Sequence, residues 1–448
     1  MANRFSLGIE EEFQLVRRAT GELCSCAQSV LAKGAPYFEE QIKPEMLQST
    51  VELVSNVFPD IAAARTELHT LRALLNKVVS EEGLALVSAG THPSALWVDQ
   101  ERTDGERYIE LEKEYQDVGR SILIFGLHVH VGIANRELTV RVMNQVRTWL
   151  PQLLAISSNS PFWQGRMTGI KSYRSVVWKR FPRSGMPEVF ASWEHFDHYV
   201  QDLVEMGCID NGKKIWWDIR PHPFFDTIEF RACDMPATID DTLAIAALCQ
   251  ALVVKLTYLD EHNKSVPVLA RDYIEENKWR AMRYGLDADV IDFTQKRCIS
   301  MRDSIRELLD FVEEVVDDLG SRQEMTHLRA LVDDPRGTGA DRQMTVYQES
   351  GGDFDKVQQF LIEQTMQGVT LANADLSDRF LQFKMYPSPQ ITWTCRAVFS
   401  GRAAESSGRD STKGRPVTGC GRTQARTPYT RSKIAPVRTS AGDPCAAI

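Results

Sequence analysis

The sequence predicts an α+β protein organised around one sheet with a polar face. Three observations lead there. Leu7–Val16, reading LGIEEEFQLV, alternates apolar residues at the period of a half-buried strand. Three later strand-like segments repeat its habit of setting acidic, histidine or arginine residues on one face. From Ile239 to about Leu376 the apolar spacing is helical. An eightfold β/α alternation, which a barrel would need, is not visible.

In the first strand Ile9, Glu11, Phe13 and Leu15 share one face, and Glu10, Glu12 and Gln14 share the other. Gly21–Leu23 reads as a turn and Gln28–Lys33 as a short helix. Pro44–Ser55, PEMLQSTVELVS, ends in β-branched strand residues. Asp60–Val79 carries Ile61, Leu68, Leu71, Leu75 and Val78 at helical spacing. Leu84–Ala89 is a short buried strand running into a GTHP loop. Glu106–Val118 reads as a helix, Ser121–Ile133 as a long strand containing HVH, and Arg136–Ser158 as a helix. Asn159–Pro187 is rich in Gly, Pro and aromatics and carries basic residues that include Lys171, Arg174, Lys179, Arg180 and Arg183, the pattern of a functional loop or lid. Strands follow at Lys214–Arg220 and Thr227–Ala232, then a helix at Ile239–Glu261. The later helices are interrupted by a flexible-looking loop, Asp333–Asp341.

Composition is that of a globular chain, 43% hydrophobic and 25% charged, with room for a large core. A net charge of −9 gives no footprint for duplex nucleic acid. No apolar run reads as a membrane span and no signal-peptide pattern opens the chain, so a soluble cytoplasmic protein is expected. Nine scattered cysteines, with Cys24 and Cys26 the one close pair, signal neither a disulfide framework nor a zinc knuckle. The C-terminal stretch is different. Residues 396–448 hold ten Arg or Lys against three Asp or Glu, a charge of +7, which leaves −16 for the remainder. Their few aliphatic residues follow no period, so a disordered basic tail or an aberrant end is expected there.

Four polar clusters fall on strands. They are Glu10 with Glu12; Glu45 with Glu52; His128 with His130; and Thr227, Glu229 and Arg231, the preceding strand adding Asp218 and Arg220. Singly, the charged pairs read as solvated strand faces and the histidines as hydrogen-bonded structural residues. Together they describe a sheet face rich in carboxylate, lightly supplied with imidazole and edged by arginine. Carboxylate oxygens suit Mg²⁺ or Mn²⁺ better than zinc. Hard cations beside arginines make an environment for phosphoryl transfer. No GxxxxGK[ST] and no GxGxxG occurs, so a nucleotide would have to be held by the sheet itself.

The chain resembles the type 2 glutamate–cysteine ligases, carboxylate–amine ligases related in fold to glutamine synthetase. The matching segments include GIEEEFQLV, EMLQSTVELVS, SAGTHP, GLHVHVGI, SSNSPFWQG, TGIKSYRSVVWKRFPRSGMP, WWDIRPHPFFDTIEFRACDMP and GTGADRQ, from the first strand to about Leu376. The resemblance implies a catalytic domain over 1–376, followed by an unassigned segment, 377–395. It implies a curved, mostly antiparallel sheet with helices on its outer face, and ATP and Mg²⁺ (or Mn²⁺) on its inner one. Carried over by position, Glu10, Glu12, Glu45, Glu52 and Glu229 become metal ligands. His130 is a further candidate ligand with a catalytic role, beside the catalytic Arg231 and Arg220. Tyr173, Arg174 and Arg183 would hold the carboxylate substrate. Lys171, Arg336, Gly337 and Gly339 would meet the nucleotide, with Gly337–Gln343 mobile.

The implied reaction is ATP-dependent amide formation through an acyl phosphate, with glutamate as acid, cysteine as amine and γ-glutamylcysteine as product. Small amino acids are then the partners, in a possible homodimer. Two other readings stand beside it: a metal-dependent amidohydrolase, which fits HxH but leaves the alternating ExE unexplained, and a non-catalytic relative.

Overall fold

The computed structural model of the chain describes residues 4–369 apart from Glu39. The expected segments 377–395 and 396–448 lie outside the described residues, as does Leu376. The first strands are β1 (Leu7–Arg17), β2 (Ile42–Pro44), β3 (Thr50–Val54), β4 (Leu84–Val87) and β5 (Gly126–Gly132). Four two-residue strands follow: β6 (Phe162–Trp163), β7 (Arg166–Met167), β8 (Ser184–Gly185) and β9 (Trp216–Trp217). The last are β10 (Ile219–Pro221), β11 (Thr227–Asp234) and a hairpin, β12 (Asp289–Asp292) with β13 (Arg297–Ser300).

One seven-stranded antiparallel sheet carries the polar clusters, in the order β10-β11-β5-β1-β3-β2, with β4 also on β1. Its register sets the functional side chains in rows. Glu12 faces Glu52, Glu10 faces His128, and His130 lies between Gly8 and Glu229, whose other neighbour is Arg220. A one-residue slip would turn each of these carboxylates into the core, so burial of the opposite face fixes the register.

Behind that face lie Ile9, Phe13, Val129, Val131, Ile228 and Phe230, each essentially inaccessible. They pack on α2 (Ile61–Ser80), which follows α1 (Ala27–Gly34), and on α9 (Ile239–Glu261). The side chain of Thr238 caps α9 by accepting from Asp241 N, and Asp240 and Asp241 complement the dipole of its first turn. Against expectation, α9 is long and apolar enough to cross a membrane, but 89% of that stretch is buried inside the protein. It is a central core helix.

Between these helices the chain forms α3 (Glu106–Tyr115), α4 (Asp117–Arg120), α5 (Arg136–Val146), α6 (Leu150–Ser157), α7 (Tyr173–Trp178) and α8 (Trp193–Glu205). Then come α10 (Arg271–Tyr284), α11 (Met301–Val316), α12 (Arg322–Asp333), α13 (Gly339–Glu349) and α14 (Phe354–Met366). Several expected boundaries move for identifiable reasons. The helix over 106–118 breaks at Gln116, which sits at φ +50. The helix over 136–158 tightens to a 3₁₀ turn at Arg147–Trp149 and restarts with Pro151 in its first turn. The strand expected at 214–220 opens instead with a 3₁₀ turn. The β12–β13 hairpin was not expected; each strand has only four residues, too few for a period to show.

Two further expectations change. Asn159–Pro187 is anchored: the carboxylate of Asp234 accepts from Asn159 N, Ser160 Oγ and Ser172 Oγ, all buried. Gly337–Gln343 opens α13 through a capping box between Thr338 and Asp341, and buried Gln343 donates to Asn159. The expected mobile loop is therefore a fixed helix start. Cys24 and Cys26 are paired as a disulfide, although their spacing had signalled none.

Glu11, on the core face of β1, meets Arg72 of α2 in an ion pair with neither side chain exposed. Arg72 also donates to Thr365 O and Thr242 Oγ1, tying α2, α9 and α14 to the spine strand. Removing one partner strands a buried charge. Arg72→Met should lower unfolding stability by about 3–5 kcal/mol, and Glu11→Leu in the same chain should recover much of the loss. Urea denaturation checks both, and an unchanged midpoint for Arg72→Met would deny the pair this role.

Candidate active site

The polar sheet face gathers Glu10, Glu12, Glu45, Glu52 and Glu229 with His128 and His130. Glu10 is bracketed by the histidines, with His128 Nδ1 at 3.1 Å and His130 Nε2 at 3.4 Å. Burial pushes the Glu10 carboxyl up, but the hydrogen bonds and charge of the two imidazoles outweigh it and hold it well below its ordinary range. Burial likewise lowers His128, to about 4, helped by the Arg231 charge. His130 is buried too, yet Glu10 and Glu229 raise it, while its Nδ1 lies 3.1 Å from Thr227 Oγ1.

At the opposite edge the acids lack this compensation. Burial, then the charge of Glu45, raises Glu12 to about 7 even though Gly126 N donates to it. Burial raises Glu52 well above the carboxylate range, and Glu10, Glu45 and Glu12 add to the effect. Glu45 is raised by burial against the pull of Arg107 and of Met46 N. At the β10–β11 edge the balance reverses. Burial works against Glu229, but Arg220 and Arg231 hold its carboxyl well below normal. Arg220 grips it with Nε at 2.7 Å and Nη2 at 3.2 Å, and Arg231 pairs with the same carboxylate.

Two sets of donors could each hold a cation: Glu10, His128 and Glu229, and Glu12, Glu52 and His128, with the ligand atoms of each set within 4.8 Å of one another. Repelling carboxylates with raised pKa values, otherwise short of counter-charge, are a donor set that suits a hard divalent ion. His128 belongs to both sets, though sequence reading had given the ligand role to His130. The register pair Glu10–His128 is the signal that could have found it.

The structure brings the remaining expected residues to different places. Arg174 is buried beside β11, donating to the carbonyls of Arg231 and Ala232, and its charge draws the Glu12 carboxyl down against burial. It fills the space where a Cβ on Gly126 would stand, so glycine is needed there. Tyr173 is half-buried, with its ring 5.6 Å from that of Trp163. Arg183 is half-buried at φ +56 and donates to Lys214 O and Tyr115 Oη. Lys171 lies between Asp287 and Asp341, at 2.6 and 2.5 Å. Arg336 is a surface residue paired with Asp334. Gly337 and Gly339 are sites of close approach, where a Cβ would strike Asp341 and Asn159 respectively. Of the four residues expected at the nucleotide, Lys171, Gly337 and Gly339 thus meet at the start of α13, and Arg336 lies on the surface just before it.

The sheet, with its acidic and basic edges, is that of the carboxylate–amine ligases of the glutamate–cysteine ligase type. The profile of glutamate-cysteine ligase family 2 matches residues 6–359, and the chain belongs to that family. It is 49% identical over 369 residues to a Sorangium cellulosum protein named "Putative glutamate--cysteine ligase 2", covering 82% of this chain and 97% of that one. A Solibacter usitatus protein of the same name is 46% identical over 365 residues, covering 81% and 94%. Among solved structures, a Francisella tularensis glutamate–cysteine ligase in complex with AMP superposes with a TM-score of 0.62 at 14% identity, covering 85% of this chain and 93% of that one. A bifunctional glutathione synthetase from Pasteurella multocida gives 0.62 at 12% identity, covering 82% and 53%. At such identities the likeness shows the fold.

The raised carboxyls set a pH dependence. A carboxyl whose folded pKa exceeds its unfolded one binds more protons when folded, so its contribution to stability is lost as pH rises through the folded value. Glu12, at about 7, and Glu52 act in this direction, as does the raised His130. Without divalent cations, the melting temperature is expected to fall by about 3 °C or more between pH 6.5 and 8. Mg²⁺ should stabilise more at pH 8 than at pH 6.5, a trend that differential scanning calorimetry would show or refute.

Proposed function

We propose that the protein joins a carboxylic acid to an amine at the expense of ATP, activating the acid as an acyl phosphate, with glutamate as the acid and cysteine as the leading amine. The observation that carries the reading is the charge gradient along one sheet face: surplus carboxylate at the β2–β3 edge and guanidinium at the β10–β11 edge.

A carboxylate is a poor acceptor for a phosphoryl group because both partners are anionic, and a poor acylating agent because oxide is a poor leaving group. Glu10, Glu12, Glu52, Glu229 and His128 are the residues that would hold Mg²⁺, which in such a site screens phosphate charge and stabilises the charge that develops in transfer. Arg231 and Arg220, fixed by Glu229, present positive charge beside the place of transfer. The carboxylate oxygen bonds to the terminal phosphorus of ATP and ADP leaves with the bridging oxygen. The amine nitrogen then attacks the acyl carbon, the C–O bond breaks, phosphate leaves with the electron pair, and the nitrogen gives up its proton. The raised Glu12 and Glu52 carboxyls support the reading, since charge repelled in this way favours cation binding. The antiparallel sheet offers no barrel strand for a hydrolase HxH site.

Protein, Mg²⁺, ATP and glutamate without an amine, treated with hydroxylamine, should yield a hydroxamate and an equal amount of ADP. AMP and pyrophosphate would mean adenylation. Absence of nucleotide turnover with every carboxylic amino acid would overturn the ligase reading. Glu12→Gln and Glu229→Gln should each lower kcat by at least about 100-fold, roughly 2.7 kcal/mol, while retaining a cooperative unfolding transition. Steady-state kinetics and thermal melts separate these outcomes.

A further inference from the structure

Beside Arg231, away from the five carboxylates of the sheet face, stands a wall of four aromatic rings that sequence reading did not single out. Trp178 ends α7, Phe181 follows it, Trp216 lies in β9 and Tyr115 closes α3. The Phe181 ring is 5.4 Å from those of Tyr115 and Trp216, and 5.6 Å from that of Trp178. Trp178 Nε1 donates to Trp216 O at 3.1 Å, which locks the two indoles together. Phe181 is buried and forms the back of the wall, while Trp178, Trp216 and Tyr115 each keep a partly exposed surface. The guanidinium of Arg231 lies over Trp178, 5.6 Å from the ring centre, so the wall adjoins the transfer site.

Arg183 borders the wall. It lies over Trp216 at 5.9 Å and donates to two neutral oxygens, Lys214 O and Tyr115 Oη; the Glu114 carboxylate, which accepts from that tyrosine hydroxyl and from Lys214 Nζ, stands one group further out and has its own lysine. By contrast, Arg220 and Arg231 are both committed to Glu229. Arg183 also occupies the left-handed region at φ +56, a conformation that a non-glycine residue keeps only where its surroundings hold it. The Tyr115 end of the wall is held from the far side of the sheet as well. Tyr108, seven residues earlier in α3, donates to Pro44 O of β2 at 2.7 Å, so α3 joins the acidic edge strand to the aromatic cluster.

Resting on the ligase reading, we infer that this wall and Arg183 form the binding surface for the amine substrate and select an α-amino acid with an uncharged, apolar or sulfur-bearing side chain. Arg183 takes the carboxylate of the amino acid, and the indoles of Trp178 and Trp216 take its side chain. Aromatic rings gain from contact with apolar groups and with sulfur. They would also attract a cation, but Arg231 and Arg183 already lie over those rings, so a lysine or arginine side chain would meet two guanidiniums. An acidic side chain gains nothing from the ring faces, and both guanidiniums are already engaged, Arg231 by Glu229 and Arg183 by the α-carboxylate of the same substrate. Both charge classes are therefore disfavoured for reasons visible in the same cluster.

The test uses the full chain with Mg²⁺, ATP and glutamate, and offers each of the standard amino acids as amine while ADP release is followed. Uncharged amino acids, cysteine, methionine and the aliphatic ones among them, should be used in preference to lysine, arginine, aspartate and glutamate. Trp178→Ala should raise KM for the best amine at least about tenfold, near 1.4 kcal/mol, and change KM for ATP less than about twofold. Trp178→Phe should restore most of the amine affinity, and Arg183→Met should raise KM for an amino acid more than for the corresponding decarboxylated amine. Thermal melts identify any variant that fails to fold, and Trp216→Leu then takes its place in the same measurements. Equal KM for the amine in the wild type and the tryptophan variants, or a preference for charged amino acids, would overturn the inference. So would hydroxamate formation in a wild type that accepts no amino acid, an outcome that leaves the ligase reading standing. If no acid gives hydroxamate or ADP, the ligase reading fails and this inference falls with it.

Discussion

Five carboxylates share one partly buried sheet face, and the rest of the site is arranged around that repulsion. At Glu229 two arginines answer it, and at Glu10 two histidines do. At Glu12, Glu45 and Glu52 burial and mutual repulsion win, and the carboxyls are held protonated more readily than in water. The face is therefore polarised. One edge is short of positive charge and the other has it in hand. A polyanion bridged by cations can lie along that gradient without reorganising the protein, which is the condition for electrostatic stabilisation at little cost.

What lets the fold tolerate such a face is the opposite one. The even residues of β1 carry the acids, while Leu7, Ile9, Phe13 and Leu15 seal the strand against the helical layer. Glu11 is the exception, an acid on the apolar face, and it survives because Arg72 meets it within the core. The same strand thus contains acids answered in two ways. Glu11 has a permanent internal partner that fixes helices to the sheet, whereas Glu12 and Glu52 face each other across the register and invite an external cation. Alternation at period two decides which fate each residue meets.

That alternation is also why so much was legible in the sequence. Glu10, Glu12, Glu52 and Glu229 could be placed on one face because strand period, register and charge agree, and α9 could be bounded because its caps and apolar run coincide. The parts that escaped depend on contacts distant in sequence. His128 and His130 share a face, and which of them sits between carboxylates depends on pairing with residues over a hundred positions away. Lys171 looks like a loop cation in sequence, and only the folded chain brings Asp287 and Asp341 to it. Gly337 and Gly339 look like a hinge, because the composition of a tight helix start and of a mobile loop is the same. Local chemistry was readable, but the partners that consume or release it were not.

The same distinction separates the arginines. Arg174, Arg220, Arg231 and Arg183 are alike in sequence, all near the aromatic segments that border the sheet, yet the structure gives each a different charge environment. Arg174 holds the carbonyls at the end of β11, and Arg220 and Arg231 are drawn to one carboxylate. Arg183 stands among rings and donates only to neutral oxygens, with the Glu114 carboxylate held one group away by Tyr115 and Lys214. A cation already paired stabilises charge that develops nearby without being displaced by a substrate, because its partner fixes its position. A cation with only neutral partners can accept a substrate carboxylate without first giving up an ion pair. Placing the first kind next to the carboxylates and the second kind next to the indoles separates transfer from recognition within one continuous surface, and it is the register of β10 and β11 together with the left-handed turn at Arg183 that maintains the separation.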